Sequence, residues 1–450
     1  MEFGVEKCAM LVIKRGKVVE SNGIDLPNNE TIKSIHEENG YKYLGVMEAD
    51  QVLGGQMKER LRKEYKRRVK KILKSKLNGG NVITAINTWA VSMMRYTALF
   101  VDWKKDELKE IDRDTRKMMN MYRALHPRDS VARLYLPRKD GGRGLVAIED
   151  CVQLAILGLE NYVQDSKERI LSAARCEAGE RVTEKDFKKR RREERRSELE
   201  EKALHGQFFR QTREIYDPES WGWLREGELK KETEGLIMAA QTQSLRTNAI
   251  KANIDKTQED SKCRMCKQKE ETVSHIISEC PKLAQREYKR RHDCVAKALH
   301  WDICRLYDID CGNKWYEHQP DGVLETTDVK ILWDFNIQTD NEIQARRPDI
   351  VVVNKKEKKC YIIDVAVPGD VRIAEKEMEK IEKYDELKRE VERLWKVKAK
   401  VIPIVLGALG TVTRSLSNYI KEIGVKTQIK LIQKSVLLGT ARVLRKVLEI

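Results

Sequence analysis

RRPDIVVVNKKEKKCYIIDVAVPGDVRIAEKEMEKIEKY, residues 346–384, decides how the C-terminal third of the chain folds. Ile350–Val353 is an apolar, β-branched run entered through Pro348, which suits a strand's first position because it has no N–H to donate. The polar turn NKKEKK (354–359) leads into a second run, Cys360–Val367, closed by Pro368-Gly369. Two neighbouring strands with one acid each are predicted. Alternation puts Asp349 on one face with Val351 and Val353, and Asp364 on one face with Ile362 and Ala366. An Asp in an apolar strand is costly unless it is paired or holds a cation.

A long helix is predicted from Val371 to about Trp395. Its apolar stripe reads Ile373, Glu377, Lys380, Tyr384, Leu387, Val391 and Leu394, at intervals of four and three, and this face packs on the strands. Lys380 therefore points inward, where a solitary ammonium is unwelcome. Two strand carboxylates and an inward lysine match the needs of phosphodiester hydrolysis with a divalent metal. The acids hold Mg²⁺, which polarises the phosphate and acidifies a bound water, and the lysine stabilises negative charge or orients that water. Lys383 is rotated off the stripe toward a phosphate, and Tyr384 is placed to anchor Lys380 or the substrate. A purely structural Asp–Lys salt bridge is the competing explanation.

Cys263-Arg264-Met265-Cys266, then His275 and Cys280, form a second constellation. Cys-x2-Cys makes a tight turn in which two thiolates reach one ion, while His275 and Cys280 project from the start of a helix. Zn²⁺ takes such a tetrahedron at ~2.0–2.3 Å and, with four protein ligands, keeps no site for water. The metal is expected to be structural, its influence confined to 263–280. His292 and Cys294, in the basic helix REYKRRHDCVAKAL, read as non-ligands.

Working outward, residues 1–48 are strand-rich, with CAMLVIKRGKVVE turning at Arg15-Gly16-Lys17 and YKYLGVM as a further strand. The pattern starts without a cap, as expected of a truncated chain. Residues 50–77 predict a helix burying Met57, Leu61, Tyr65, Val69, Ile72 and Leu73 and exposing Lys and Arg. Helices follow over 82–100, 104–123 and 146–177, and RLYLPRKDGGRGL (133–145) reads as strand and loop. The run 181–203 is almost wholly charged, and 220–255 is again helical and amphipathic. Beyond 300 the order is a helix, two strands, a long helix, a strand and two helices.

The chain has 450 residues, 88 Lys+Arg against 72 Asp+Glu, and a net charge of +16. A length of this order implies about three domains. The positive balance favours a polyanionic partner. No run of ~18 apolar residues exists, so no membrane span or membrane partner is expected. The N-terminus lacks an apolar stretch ending in a cleavage site, so no secretory leader is expected.

These motifs together resemble the C-terminal part of a non-LTR retrotransposon polyprotein that ends in a restriction-like endonuclease. FGVEKCAMLVIKRGK and YKYLGV are similar to the last palm motifs of its reverse transcriptase, the second being the primer-grip strand. The helices from 50 to about 175, with ALHPRDSVARLYLPRKDGGRGL, are similar to its thumb. CRMC…H…C resembles its CCHC zinc knuckle, and RRPD, IIDVAVPGD and EKIEKY resemble its endonuclease signature, of the PD-(D/E)xK fold.

The resemblance implies a multidomain protein: a palm remnant (1–49), an α-rich thumb-like domain (50–178), a charged helical linker (179–240), the zinc knuckle region (241–300) and an α/β restriction-endonuclease-like domain (301–450). It implies Asp349 and Asp364 as the Mg²⁺-binding acids, Lys380 as the catalytic lysine, and Lys383 and Tyr384 as the rest of the KxxKY element. It also implies structural Zn²⁺ at Cys263, Cys266, His275 and Cys280. Target DNA, element RNA and a template–primer duplex are the implied partners, in the nucleus.

Two departures stand out. Many nucleases of this fold carry the lysine two residues past the second acid, where this chain has Ala366; here the lysine moves to the helix. The chain contains no Asp-Asp pair, so the polymerase aspartates are expected before residue 1 and polymerisation by this fragment is not expected. An inactive remnant that only binds nucleic acid is the alternative to a working nuclease.

Overall fold

A computed structural model describes residues 4–27, 29–35, 40–49, 51–173, 182–213 and 218–449. Roughly half of the chain is helical, and it divides into two units. The first comprises Met1–Lys76, Asn81–Tyr122 and Leu145–Glu193; the second comprises Leu77–Gly80, Arg123–Gly144 and Glu194–Ile450. Residues 123–144 thus pack with the C-terminal part of the chain, not with the rest of the thumb-like segment. The expected boundary at 178/179 lies outside the described residues, as does residue 50 at the boundary 49/50.

The first unit opens with three short antiparallel hairpins: β1 (Val12–Lys14) with β2 (Lys17–Val19), β3 (Ile24–Asp25) with β4 (Thr31–Ile32), and β5 (Tyr41–Tyr43) with β6 (Val46–Glu48). YKYLGVM is therefore a hairpin and not one strand. Leu44 and Gly45 both adopt positive φ, at 46° and 93°, the turn geometry that matches strand twist. Helix α1 (Gly54–Leu73) buries Met57, Leu61, Tyr65, Val69, Ile72 and Leu73, the stripe expected from spacing. It lies against α2 (Lys105–Met121), where the Tyr65 and Thr115 hydroxyls share a buried hydrogen bond of 3.0 Å. Asp112 of α2 accepts the Ile148 N–H at 3.0 Å and caps α3 (Ile148–Asp165). Burial pushes the Asp112 carboxyl up to about 6, against those backbone donors. The expected helix 146–177 breaks after Asp165 and resumes over Arg169–Ala173, with residues 174–177 outside the described ones.

The second unit is built on a five-stranded mixed sheet in the order β11-β10-β9-β8-β7, with β7 (Val323–Glu325), β8 (Val329–Trp333), β9 (Ile350–Asn354), β10 (Lys359–Ala366) and β11 (Lys398–Val405). Neighbours from β7 to β10 are antiparallel, and β10–β11 is parallel, pairing Asp364 with Pro403. A parallel pair needs a crossover. Here α6 (Ile373–Lys383) and α7 (Asp385–Trp395) supply it, after α4 (Lys231–Gln241) and α5 (Lys289–Leu306) and before α8 (Arg414–Ile423) and α9 (Ile429–Leu448). Ile350, Val352, Ile363 and Val365 pack on α5, α8 and α9. Val351, Val353 and Ile362 pack on the other face against Tyr384, Leu387 and Val391.

Several local expectations change. The strands β7 and β8, in VLETTDVKILW, are additional to the predicted pair. The long helix is interrupted at Tyr384. Residues 220–255 form three short helices, of which α4 is buried on nearly all sides. No strand forms over 133–136: Val131–Tyr135 is one helical turn, because the buried Arg133 guanidinium donates to the carbonyls of Gly141 and Met238 at 2.9 Å each. Gly141 ends the next turn, Arg138–Asp140, at φ 80°, with the Trp221 ring filling the space a Cβ would take.

Arg138 and Arg143 of the same segment converge on Glu234 of α4, which is 1 % exposed. Nη2 of Arg138 lies 2.5 Å and Nη2 of Arg143 3.1 Å from its carboxylate. Burial would raise the Glu234 pKa, but the two guanidiniums hold it below the usual range. Glu234→Ala strands two cations in a dry site and is expected to destabilise the second unit by about 3–5 kcal/mol in urea unfolding. Glu259→Ala at an exposed position is expected to stay within about 0.5 kcal/mol.

Candidate functional site

Asp364 sits near the end of β10 on the face covered by α6, with its side chain 4 % exposed. Two side chains from the crossover reach it. Lys380 pairs with Oδ2, and the Tyr384 hydroxyl donates to Oδ1 at 2.6 Å. A short bond to a carboxylate is of the stronger, charge-assisted kind. Burial and the Asp364 charge both raise the Tyr384 pKa, so the phenol keeps its proton. Tyr384 occupies the break between α6 and α7, and the break turns its hydroxyl back to the strand end. It anchors Asp364, not Lys380. Lys383 folds over the same ring and donates to the Tyr384 oxygen at 2.9 Å. Ala366, two residues past Asp364, packs on Ile373 and Val405.

Asp349 stands just before β9. Its Oδ2 accepts the Val365 N–H at 2.7 Å, which ties it to β10 one residue from Asp364. The same oxygen is 3.1 Å from Nε2 of His292, on α5. Burial alone would lower the imidazole's pKa, but the bond to and charge of Asp349, joined by Asp293, raise it to about 9. Burial likewise opposes ionisation of Asp349, and His292, the Val365 N–H and the Lys380 charge outweigh it, holding its pKa below the usual range. The five predicted residues thus gather at one end of the sheet, with Lys380 close enough to act on both acids. Asp370, in the same VPGD turn, is engaged elsewhere, accepting from Leu409 N and Thr411 N at 2.8 and 3.1 Å.

His292 is the group that sequence reasoning set aside. Its signal was present: it is the first position of the stripe His292, Val295, Leu299 and Ile303 that α5 turns to the sheet. Arg291 next to it is buried, donating to Thr440 Oγ1 at 2.9 Å and to the Val367 carbonyl at 3.2 Å, which fixes α5 to the end of β10.

Cys263, Cys266, His275 and Cys280 are all buried, with ligand atoms within 4.8 Å of one another. Two ligands at ~2.0–2.3 Å in a tetrahedron sit roughly 3.3–3.8 Å apart. Cys266 Sγ lies 3.3 Å from His275 Nε2, and Cys263 Sγ lies 3.9 Å from Cys280 Sγ. The set can hold Zn²⁺. Its soft donors suit that ion, and backbone N–H groups of Gln268 and Lys269 point at Cys266. Tyr288 braces the second pair, accepting the Cys280 N–H at 3.1 Å and donating to the Ile276 carbonyl at 2.7 Å. Asp349, Asp364 and His292 do not form a comparable cluster, since Asp364 is turned to Lys380 and Tyr384.

On α1 and its C-cap, in the first unit, Arg60, Lys63, Lys70 and Lys74 recur at helical spacing opposite the buried stripe, exposed to solvent. Lys58, Lys66 and Arg67 are instead paired with Glu107, Asp114 and Glu64. The charged helix Glu184–Glu201 pairs along itself, with Lys188–Glu184 and Arg196–Glu200 contacts of 2.9 and 2.8 Å, which stabilises an exposed helix.

The knuckle cysteines share one core with Ile237 and Met238 of α4 and with Leu437, Ala441 and Leu444 of α9. The expectation that metal affects 263–280 alone is revised accordingly. Cys263→Ser is expected to strip amide-exchange protection from α4 and α9 as well as from 263–280. Loss confined to 263–280 would contradict the shared core. No protein-family model matches the chain, and no curated protein matches it.

Proposed function

We propose that the chain is the C-terminal part of a non-LTR retroelement protein whose second unit is a Mg²⁺-dependent DNA endonuclease of the PD-(D/E)xK kind. It nicks target DNA and frees a 3′ hydroxyl to prime reverse transcription. The observation that carries this reading is the buried pairing of Asp364 with Lys380 beside Asp349. The resemblance of the RRPD, IIDVAVPGD and EKIEKY motifs, which carry these residues, supports the same reading.

Asp349 and Asp364 offer the hard oxygen donors that Mg²⁺ prefers, with water completing the shell. Bound there, the ion supplies charge neutralisation at the phosphate and a more acidic water. The side chains do the rest. Tyr384 holds the Asp364 carboxylate in place, and the Val365 N–H holds Asp349. Lys380 directs its ammonium at the charge that builds on the phosphoryl oxygens. Water adds to phosphorus, the bond to the 3′ oxygen breaks, and a 3′ hydroxyl and a 5′ phosphate result. The α1 stripe suits phosphate contacts, which give salt-sensitive affinity with little sequence information. The knuckle's proposed role is structural.

Supercoiled plasmid incubated with the full chain and Mg²⁺ is expected to be nicked. Asp364→Asn and Lys380→Met are each expected to slow nicking by about 10²-fold or more. Equal nicking by wild type and Asp364→Asn overturns the assignment. Salt-sensitive DNA binding without Mg²⁺-dependent cleavage selects the binding-only remnant.

A further inference from the structure

The second unit holds another cluster of soft metal-ligating side chains, remote in sequence from the knuckle. Helix α5 presents His300 and Cys304 one turn apart, and the following connection, residues 307–322, brings His318 back against them. Their ligand atoms all lie within 4.8 Å of one another. His300 and Cys304 are buried, and His318 is 9 % exposed. We propose that His300, Cys304 and His318 form a second zinc site, with water in the fourth position, which staples the 307–322 connection to α5.

The separations suit the ion. His300 Nδ1 is 3.5 Å from Cys304 Sγ, within the roughly 3.3–3.8 Å spacing of tetrahedral ligands. His300 Nδ1 is 2.8 Å from His318 Nε2, within hydrogen-bond distance. A rotation that opens it by ~0.5 Å gives two imidazoles the ligand spacing of Zn²⁺. Metal-binding histidines are oriented by what their second nitrogen touches. The other nitrogen of His318 donates to the Cys311 carbonyl, which leaves the Nε2 lone pair facing the cluster. The Trp333 ring, edge-on at 5.4 Å, fixes the plane of His300. An ion also has access: a surface pocket of about 370 Å³ is lined by Asp310, Cys311, Glu317, His318 and Asp321, whose three carboxylates attract a cation.

The connection gives the staple a purpose. Residues 307–322 form no helix or strand, although they link α5 to β7 at the edge of the sheet. Connections longer than about 12–15 residues without secondary structure are uncommon unless something orders or uses them. A hydrogen-bonded histidine pair, with Cys304 packed beside Leu299 and Ile303, is the arrangement without metal, and zinc stoichiometry separates the two.

The test is metal content of the full chain, purified under reducing conditions, stripped, reloaded with Zn²⁺ and desalted. Wild type is expected to keep two zinc ions per chain, and His318→Asn, an edge substitution, one. In wild type, zinc is expected to slow alkylation of Cys304 at least tenfold, read by peptide mass spectrometry. That readout separates this site from the knuckle cysteines and needs no variant to fold. One zinc in wild type, equal zinc in wild type and His318→Asn, or zinc-independent alkylation of Cys304 each overturns the proposal.

Discussion

A buried carboxylate with an ammonium beside it is the constraint around which the second unit is arranged. Asp364 lies inside the sheet's covered face, where an unpaired charge costs several kcal/mol. Lys380 and Tyr384 together satisfy it. Such a pair is not a good device for stability, since well-packed apolar residues of similar volume are often as stable or more so. On the proposed nuclease reading the same three side chains have a reason to be there: the carboxylate would take a cation whose place the lysine holds. Asp349 repeats the pattern with His292 as its partner.

The rest of the unit keeps those groups in register. The bond from Val365 N–H to Asp349 fixes the acids relative to each other through two adjacent strands. Arg291 anchors α5 to the end of β10 and to α9. In turn α9 shares its core with α4 and the cysteines of the knuckle. A metal bound to those cysteines would therefore stabilise helices that support the sheet, although it lies outside the candidate catalytic site. Knuckle and sheet are parts of one folded unit, and the sequence boundary at 300 falls inside α5.

What was legible in the sequence was local and periodic. The α1 stripe, the inward turn of Lys380 and the alternation that places Asp364 with Ile362 follow from spacings of 3.6 and 2, and the structure reproduces them. What was missed depended on partners distant in the chain. Nothing near Arg133 announces that its guanidinium will be drawn to the carbonyl of Met238, which turns an expected strand into a helical turn. The short strands β7 and β8 are interrupted by TTD; β7 pairs with β8, and β8 is held in turn by β9. His292 lies in a run of Arg and Lys that masks its place at the head of a buried stripe. The break at Tyr384 has no Gly or Pro to signal it; the hydroxyl's bond to Asp364 accompanies it.

Binding of Mn²⁺ to the full chain, read by electron paramagnetic resonance without nucleic acid, tests the central claim most directly. Asp364 should be a ligand whose ammonium partner competes with the ion. Asp364→Asn should abolish the site, and Lys380→Met should tighten it, since the competing charge is gone. Mn²⁺ affinity indifferent to both substitutions would contradict the account and leave Asp364–Lys380 as a structural ion pair.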